Sequence, residues 1–269
     1  MIMKLDIKNT VDFIKSTAGN GYNTGIILGT GLGGLVKYIK IEHVIDYSDI
    51  PNFPVSTVES HHGKLIFGKL SGKKIIAMQG RFHFYEGYSH NRVTFPVHVM
   101  KGLGIKYLIA SNACGALNPE FSKTDLMILT SHINLHFTSP LIGMKFFNSK
   151  ENTTHYYSQR LIELAEQTAL ENNIDVKKGV YASVQGPTLE TRAEYRMIRK
   201  FGGDVVGMST IPEVIVAHKL GMESMGISII TDEGFPDTLE VAMLSNILKA
   251  ASIAEPKMTL LIKKFIEKL

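Results

Sequence analysis

The feature that most constrains this chain is an alternation. Short, uniformly apolar runs are separated by longer segments with apolar residues at helical spacing. The runs are Thr24–Leu28, Lys64–Phe67, Lys74–Met78, Tyr107–Ala110, Asp125–Leu129, Val205–Val206 and Gly226–Ile230. Runs this short and this apolar predict strands buried on both faces. Between them, segments 4–18, 91–103, 158–173, 190–201, 211–220 and 245–268 predict amphipathic helices. The alternation predicts an α/β layered fold with helices on both faces of the sheet. Ser71-Gly72 reads as a hairpin turn between two adjacent runs, so the sheet is expected to be mixed. Segment 132–157 has little periodicity, as expected of a loop that is functional or covers an interface. No repeat or Pro/Ser linker divides the 269 residues, so one domain over 1–269 is expected.

Composition narrows the function classes. With 44% hydrophobic and 20% charged residues, the chain can bury a large core. A mean hydropathy of +0.06, with no apolar stretch of membrane-spanning length, points away from a membrane protein. Asp6 stands where a signal peptide would need apolar residues, so a cytoplasmic location is expected. The single cysteine, Cys114, excludes an internal disulfide and a Cys-based zinc site. The net charge of +4 comes without a Lys/Arg run, which suits a small anionic substrate better than nucleic acid.

Six motifs hold function-capable groups. Gly29-Thr30-Gly31-Leu32-Gly33-Gly34 directly follows a strand. It satisfies the dinucleotide-binding pattern, but it also reads as an anion-binding turn with a Thr30 hydroxyl, or as a plain tight turn. The segment after it is too short for a crossover helix and soon becomes strand-like. Gly80-Arg81-Phe82-His83-Phe84-Tyr85-Glu86-Gly87 alternates polar and aromatic residues. Extended backbone would put Arg81, His83 and Tyr85 on one side. Arg81 offers a fork for phosphate oxygens, and Glu86 can fix the His83 tautomer. Ser111 to Pro119 follows a buried strand at its carboxyl end, where α/β sheets bind ligands. Within it, Cys114 reads as a small buried filler and not as a nucleophile, because no base is placed beside it.

In Gln185-Gly186-Pro187-Thr188-Leu189-Glu190-Thr191-Arg192, Thr188 or Thr191 can start a helix. Glu190 is then either a cap or a ligand contact. Ser209, before Ile211-Pro212, is a helix cap or an anion ligand, and Asp232, after Ile230-Thr231, is a turn residue or a ligand contact. His132 and His136 are spaced i, i+4 without a zincin pattern, and His61 and His62 are adjacent, so no metal site is expected.

Taken in order, these runs resemble the trimeric purine nucleoside phosphorylase family. The carrying motifs are G-T-G-L-G, H-H-G-K, Q-G-R-F-H-F-Y-E-G-Y, V-T-F-P-V, N-A-C-G-A-L-N, H-I-N-L, G-P-T-L-E-T and V-G-M-S-T-I-P-E-V-I-V-A, spread over residues 25–231. The resemblance implies a single α/β domain whose mixed sheet curls into a distorted barrel flanked by helices, assembled as a homotrimer. It implies reversible phosphorolysis of purine ribonucleosides or 2′-deoxyribonucleosides, 6-oxopurines above all. No cofactor is implied beyond inorganic phosphate as co-substrate. Thr30, His61, Arg81, His83, Asn112, Ala113 and Ser209 would form the phosphate site. Tyr85, Tyr181 and Met208 would face the ribose. Glu190 and Asp232 would recognise the base, with Ala113, Cys114, Gly115, Leu189 and Thr231 lining the pocket. Glu190, Asp232 and His83 would carry the catalytic roles.

Three departures from that pattern stand out. Asp232 occupies a position where 6-oxopurine enzymes have Asn, and an ionised carboxylate can only accept hydrogen bonds. It must be protonated to serve a 6-oxopurine, and the methylthioadenosine or 6-aminopurine alternative stays open. Met243 falls near the place of the family's ribose 5′-contacting His. The aromatic residue lent by a neighbouring subunit has only Phe146 and Phe147 as candidates. An NAD-dependent oxidoreductase and an inactive nucleoside-binding protein are the more distant alternatives.

Overall fold

The computed structural model describes residues 2–30, 33–57, 62–142, 155–239 and 243–269. Nine strands run in chain order: β1 (Thr24–Leu28), β2 (Lys40–Asp46), β3 (Lys64–Leu70), β4 (Lys73–Gln79), β5 (Tyr107–Ala116), β6 (Leu126–Asn134), β7 (Val176–Ser183), β8 (Val205–Gly207) and β9 (Glu223–Glu233). Among the described residues seven helices intersperse them: α1 (Ile2–Ala18), α2 (His90–Val93), α3 (Phe95–Gly102), α4 (Gln159–Glu171), α5 (Arg192–Lys200), α6 (Ile211–Lys219) and α7 (Leu244–Lys268).

The sheet order is β2-β3-β4-β1-β5-β8-β7-β6-β9, and β9 also pairs with β5. That last pairing closes five strands, β5-β8-β7-β6-β9, into a barrel. The other four extend from β5 as an open wing. Parallel and antiparallel pairings mix: β1 lies parallel to β4 and β5, while β3 is antiparallel to both neighbours. The expected hairpin is present, with Ser71 at φ 49° and Gly72 at φ 79°. Positive φ at both central residues gives the twist that a two-residue hairpin needs.

The core lies on both faces of the sheet. Against the wing, α1, α3 and α6 bury Val11, Ile14, Val97, Met100 and Val216. Against the barrel, α4 and α7 bury Leu161, Ala165, Leu261 and Phe265. A smaller cluster fixes α5 through Tyr195 and Ile198 against Ala182 and Val206.

The structure departs from the sequence expectation in three places. The helix expected over 91–103 is two helices that part at Thr94. Pro96 has no N–H, so it is accommodated in the first turn of α3 and would break one continuous helix. Two strands lay outside the apolar runs: β2 is an exposed edge strand with a bulge, and β7 carries Lys177, Lys178 and Gly179. The segment expected to be a loop from 132 is still strand as far as Asn134, and 143–154 lie outside the described residues. As the sequence suggested, a 3-10 turn (Gly33–Tyr38) and then β2 follow the glycine-rich run. The crossover helix of a dinucleotide-binding unit is not there, which removes the physical basis of the oxidoreductase alternative.

Candidate active site

The site exists because strands part company at one level of the sheet. β1 pairs with β5 only as far as Ala110, and β8 becomes the neighbour from Gly115 onward. Along Ser111–Cys114, β5 has no strand on that side among the described residues. β1 and β4 end at the same level, so Gly29 and Arg81 arrive beside this gap. Gly29 cannot be larger, since a Cβ there would sit 2.8 Å from the Ser111 carbonyl oxygen.

A cavity of about 240 Å³ fills the gap. Thr30, Arg81, His83, Tyr85, Asn112, Ala113, Cys114, Gly115, Leu189, Glu190, Met208, Ser209, Thr231 and Asp232 all line it. They come from distant stretches of chain, and each was expected at the site. Pro187, Val206, Leu244 and Ile247 line it as well. A second cavity of about 820 Å³ adjoins it and shares Leu189, Glu190, Thr231, Asp232 and Ile247. The two carboxylates therefore stand between the spaces, whose combined size suits a small ligand.

One end is built from donors. Arg81 is 1% exposed. Its Nε donates to Glu213 Oε1 at 3.1 Å, and its Nη1 donates to the Ser111 carbonyl at 2.6 Å. The guanidinium plane is thus fixed in two directions. His83 Nδ1 lies 3.0 Å from Glu86 Oε1, which also accepts from the His83 backbone N–H at 2.7 Å. Burial pushes the Glu86 carboxyl up, but hydrogen bonds from His83 and Thr57 outweigh it and hold the pKa at about 2. An ionised acceptor there puts the proton of a neutral His83 on Nδ1. The Tyr85 ring stacks on His83 at 4.6 Å and 14°. The stack arises because the chain turns into a 3-10 helix at Phe84 instead of staying extended.

Ser209 sits on a strained pivot. The next residue, Thr210, has φ 70°, an unfavourable backbone for a β-branched residue. The surroundings over-determine it. Asn112 Nδ2 donates to Thr210 Oγ1 at 2.9 Å, and the Ser209 N–H donates to the Tyr181 hydroxyl at 3.3 Å. The Ser209 carbonyl accepts from the Ile211 N–H at 2.7 Å and the Ser183 hydroxyl at 3.2 Å.

The other end is a carboxylate pair. Burial pushes the Glu190 carboxyl up, Asp232 nearby adds to that, and a hydrogen bond from the Tyr195 hydroxyl opposes it. Glu190 Oε1 is buried with no hydrogen-bond partner among the described residues. Burial also pushes Asp232 up, opposed by the Thr231 hydroxyl, which lies 2.8 Å from Oδ1. A Cβ on Gly115 would come within 2.7 Å of Asp232 Oδ2, so glycine makes room for this carboxyl.

Several expectations need correction. Tyr181 is fully buried behind the wall, its hydroxyl packed under Gly207, and does not line the cavity. The Asn112 side chain turns away from the cavity, donating to Thr210 and accepting from the Ser228 hydroxyl at 2.7 Å, so what it offers a ligand is backbone. Glu190 is no cap, because Thr191 takes that role in a reciprocal box with Glu194. Met243 is exposed, while its neighbour Leu244 lines the cavity. As expected of a filler and not of a nucleophile, the Cys114 thiol is buried and pushed up by burial. His61, Phe146 and Phe147 lie outside the described residues. Glu213 and Tyr195 were not expected to act at the site. Glu213 falls inside one of the motifs, but its partner Arg81 lies 132 positions away. Tyr195 gave no local signal.

Comparison with known proteins bears on this arrangement. The phosphorylase superfamily model matches residues 23–267. Purine nucleoside phosphorylase 1 of Bacillus subtilis is 51% identical over 233 residues, 86% of each chain. The chain belongs to the purine nucleoside phosphorylase family. Solved structures of purine nucleoside phosphorylases agree with that placement. Isoform 2 of the Schistosoma mansoni enzyme, in complex with cytosine and ribose-1-phosphate, superposes with a TM-score of 0.92 at 36% identity, covering 98% of this chain and 96% of that one. The S. mansoni enzyme in complex with hypoxanthine gives 0.91 at 38% identity, covering 98% and 97%. No group of three or more His, Cys, Asp or Glu residues among the described residues could hold a metal ion.

Proposed function

We propose that this cavity performs reversible phosphorolysis of purine ribonucleosides and 2′-deoxyribonucleosides, releasing free base and (deoxy)ribose 1-phosphate, with 6-oxopurines preferred. One observation carries the reading: a fixed guanidinium and its neighbouring donors occupy one end of a cavity, and two half-buried carboxyls occupy the other. Phosphate, held by Thr30, Arg81, His83, the Asn112-Ala113 backbone and Ser209, would sit beneath C1′ as the nucleophile. His61 would join it from outside the described residues. The glycosidic bond breaks with positive charge developing on the sugar, and the dianion stabilises that charge in a site where donors are already oriented. Tyr85 and Met208 would face the ribose. Burial pushes the Tyr85 phenol up to about 12, so it stays a hydroxyl.

The base end must stabilise negative charge on the leaving purine. Ionised Glu190 would accept from N1–H, which 6-oxopurines carry and adenine lacks. Protonated Asp232 would then donate toward O6 or N7. Burial and the charge of Asp232 both push the Glu190 carboxyl up, which favours one shared proton over two charges at this end. A second reading has one observation in its favour: Asp232 itself. When ionised it accepts from a 6-amino group, which would open the site to adenosine or methylthioadenosine. We also propose a cytoplasmic homotrimer needing no cofactor beyond phosphate. No helix among the described residues is long and apolar enough to cross a membrane.

The deciding assay is release of hypoxanthine, guanine and adenine from their nucleosides with and without orthophosphate. Phosphate-dependent release of hypoxanthine and guanine, exceeding adenine, is expected. A folded sample that releases no base at any phosphate concentration would defeat the reading. Turnover of methylthioadenosine far above inosine would move the assignment to the second reading.

A further inference from the structure

Behind the donor end lies a buried polar cluster that the proposed chemistry does not use. His136, 2% exposed, is enclosed by the rings of Phe84 and His90, with centroids at 5.9 and 5.5 Å. Its Nε2 lies 2.8 Å from Ser183 Oγ, and Ser183 is fully buried. The Ser183 hydroxyl in turn lies 3.2 Å from the Ser209 carbonyl, which can only accept. His136 Nδ1 is buried with no hydrogen-bond partner among the described residues.

These contacts fix the direction of every proton. A serine hydroxyl has one hydrogen. If Ser183 gave it to His136, the ring proton would lie on Nδ1, a buried donor without an acceptor, which is the costlier kind of orphan. If Nε2–H donates to Ser183, the serine can donate to Ser209, and only an acceptor lone pair on Nδ1 goes unmet. Burial and the neighbouring His90 hold the His136 pKa down at about 4, so the neutral ring persists at ordinary pH. The backbone of His136 is also tied down, since its N–H donates to Asn134 Oδ1 at 3.1 Å and its carbonyl accepts from Gln185 at 2.9 Å.

We propose that His136 is a positioning residue for the phosphate end, acting through Ser183 on the Ser209 carbonyl. The Ser209–Thr210 pivot is strained, and a strained backbone keeps its geometry only while its contacts hold. The relay His136 Nε2–H to Ser183 Oγ–H to Ser209 C=O is one of those contacts. The proposal rests on the assignment of Ser209 to phosphate.

The test measures KM for phosphate and for inosine in the full chain, with thermal melts to establish folding. Ser209→Ala reports on the underlying assignment and should raise the phosphate KM. Ser183→Ala and His136→Ala should each raise the phosphate KM about five- to tenfold, the size of one lost neutral hydrogen bond. The inosine KM should stay within about twofold, because the base end makes no contact with this relay. The double variant should be no worse than the worse single one. His136→Gln, whose amide N–H replaces Nε2–H, should restore the phosphate KM. A folded His136→Ala with an unchanged phosphate KM, beside a Ser209→Ala that raises it, overturns the relay and leaves the site assignment intact. If Ser209→Ala leaves the phosphate KM unchanged, the assignment itself fails. If His136→Ala does not fold, Ser183→Ala decides in the same way.

Discussion

At the residue scale, the site separates two tasks, and single substitutions should separate them too. Arg81→Ala removes a donor that the proposed function assigns to the nucleophile and should lower kcat/KM by about 10²–10³-fold, chiefly through phosphate. It also leaves Glu213 buried without its cation, which should cost about 3–5 kcal/mol of stability. Glu190→Ala should spare the phosphate KM and weaken purine discrimination. Steady-state kinetics with each substrate varied would check the split, and equal, small effects from both variants would count against the assignment. Glu86 gives a prediction in pH. Its carboxyl is held at about 2, below the ordinary 4.5. A lowered carboxyl stabilises the fold above its unfolded pKa, and that stability drains away as pH falls from about 4.5 toward 2. Wild type should therefore exceed Glu86→Gln in melting temperature near neutrality, with the gap closing across that acid window. A gap that widens on acidification would mean that Glu86 is not held as an anion. Much of this site was legible beforehand, because Arg81, His83 and Tyr85 crowd into five positions. Glu213, Tyr195 and Ser183 were not. Their importance comes from partners distant in sequence, and no local spacing encodes a tertiary contact.

At the element scale, the site depends on where strands and helices end. Glu190 sits just before α5, so the cap of that helix sets the carboxyl's place. The Thr191 hydroxyl accepts from the Glu194 N–H at 3.3 Å, and Glu194 accepts from the Thr191 N–H at 2.7 Å. Thr191→Ala should cost about 1 kcal/mol of stability, as lost caps do. It should raise the nucleoside KM more than the phosphate KM, since the donor end touches neither residue. Chemical denaturation with both KM values would test this, and a variant that loses stability while both KM values hold would uncouple the cap from the site. Apolar runs and helical periodicity were enough to find the buried strands and the helices. They missed β7 because its first half carries two adjacent lysines and a glycine, with the lysines partly exposed. They merged α2 with α3 because Val93, Phe95, Val97 and Met100 keep a helical rhythm across the break, while Pro96 marks it only weakly.

At the scale of the whole molecule, what decides the site is that β5 belongs to two structures at once. Its first half lies in the open wing and its last residues lie in the barrel, and the cavity is the seam. No sequence pattern announces a strand that changes neighbours, which is why the barrel was accessible only through resemblance. The outer surface beside the seam is unusual as well. Phe137 is 86% exposed with φ 55°, and it lines a small cavity together with Leu135, Leu189, Glu190 and Met197. A large aromatic side chain left in water forgoes about 1.5–3 kcal/mol that burial would supply. Covering it with a second copy would bury surface that lines the same small cavity as Glu190. This predicts that the chain self-associates and does not sediment as a single 29.8 kDa species, and the family resemblance sets the expected species at a trimer. Phe137→Asp should shift it toward smaller species and raise the nucleoside KM, because Leu189 and Glu190 share the cavity that the copy would close. Sedimentation velocity at assay concentration, read beside activity, is the measurement. A wild type that is monomeric and fully active at that concentration would separate assembly from catalysis and leave Phe137 without this role.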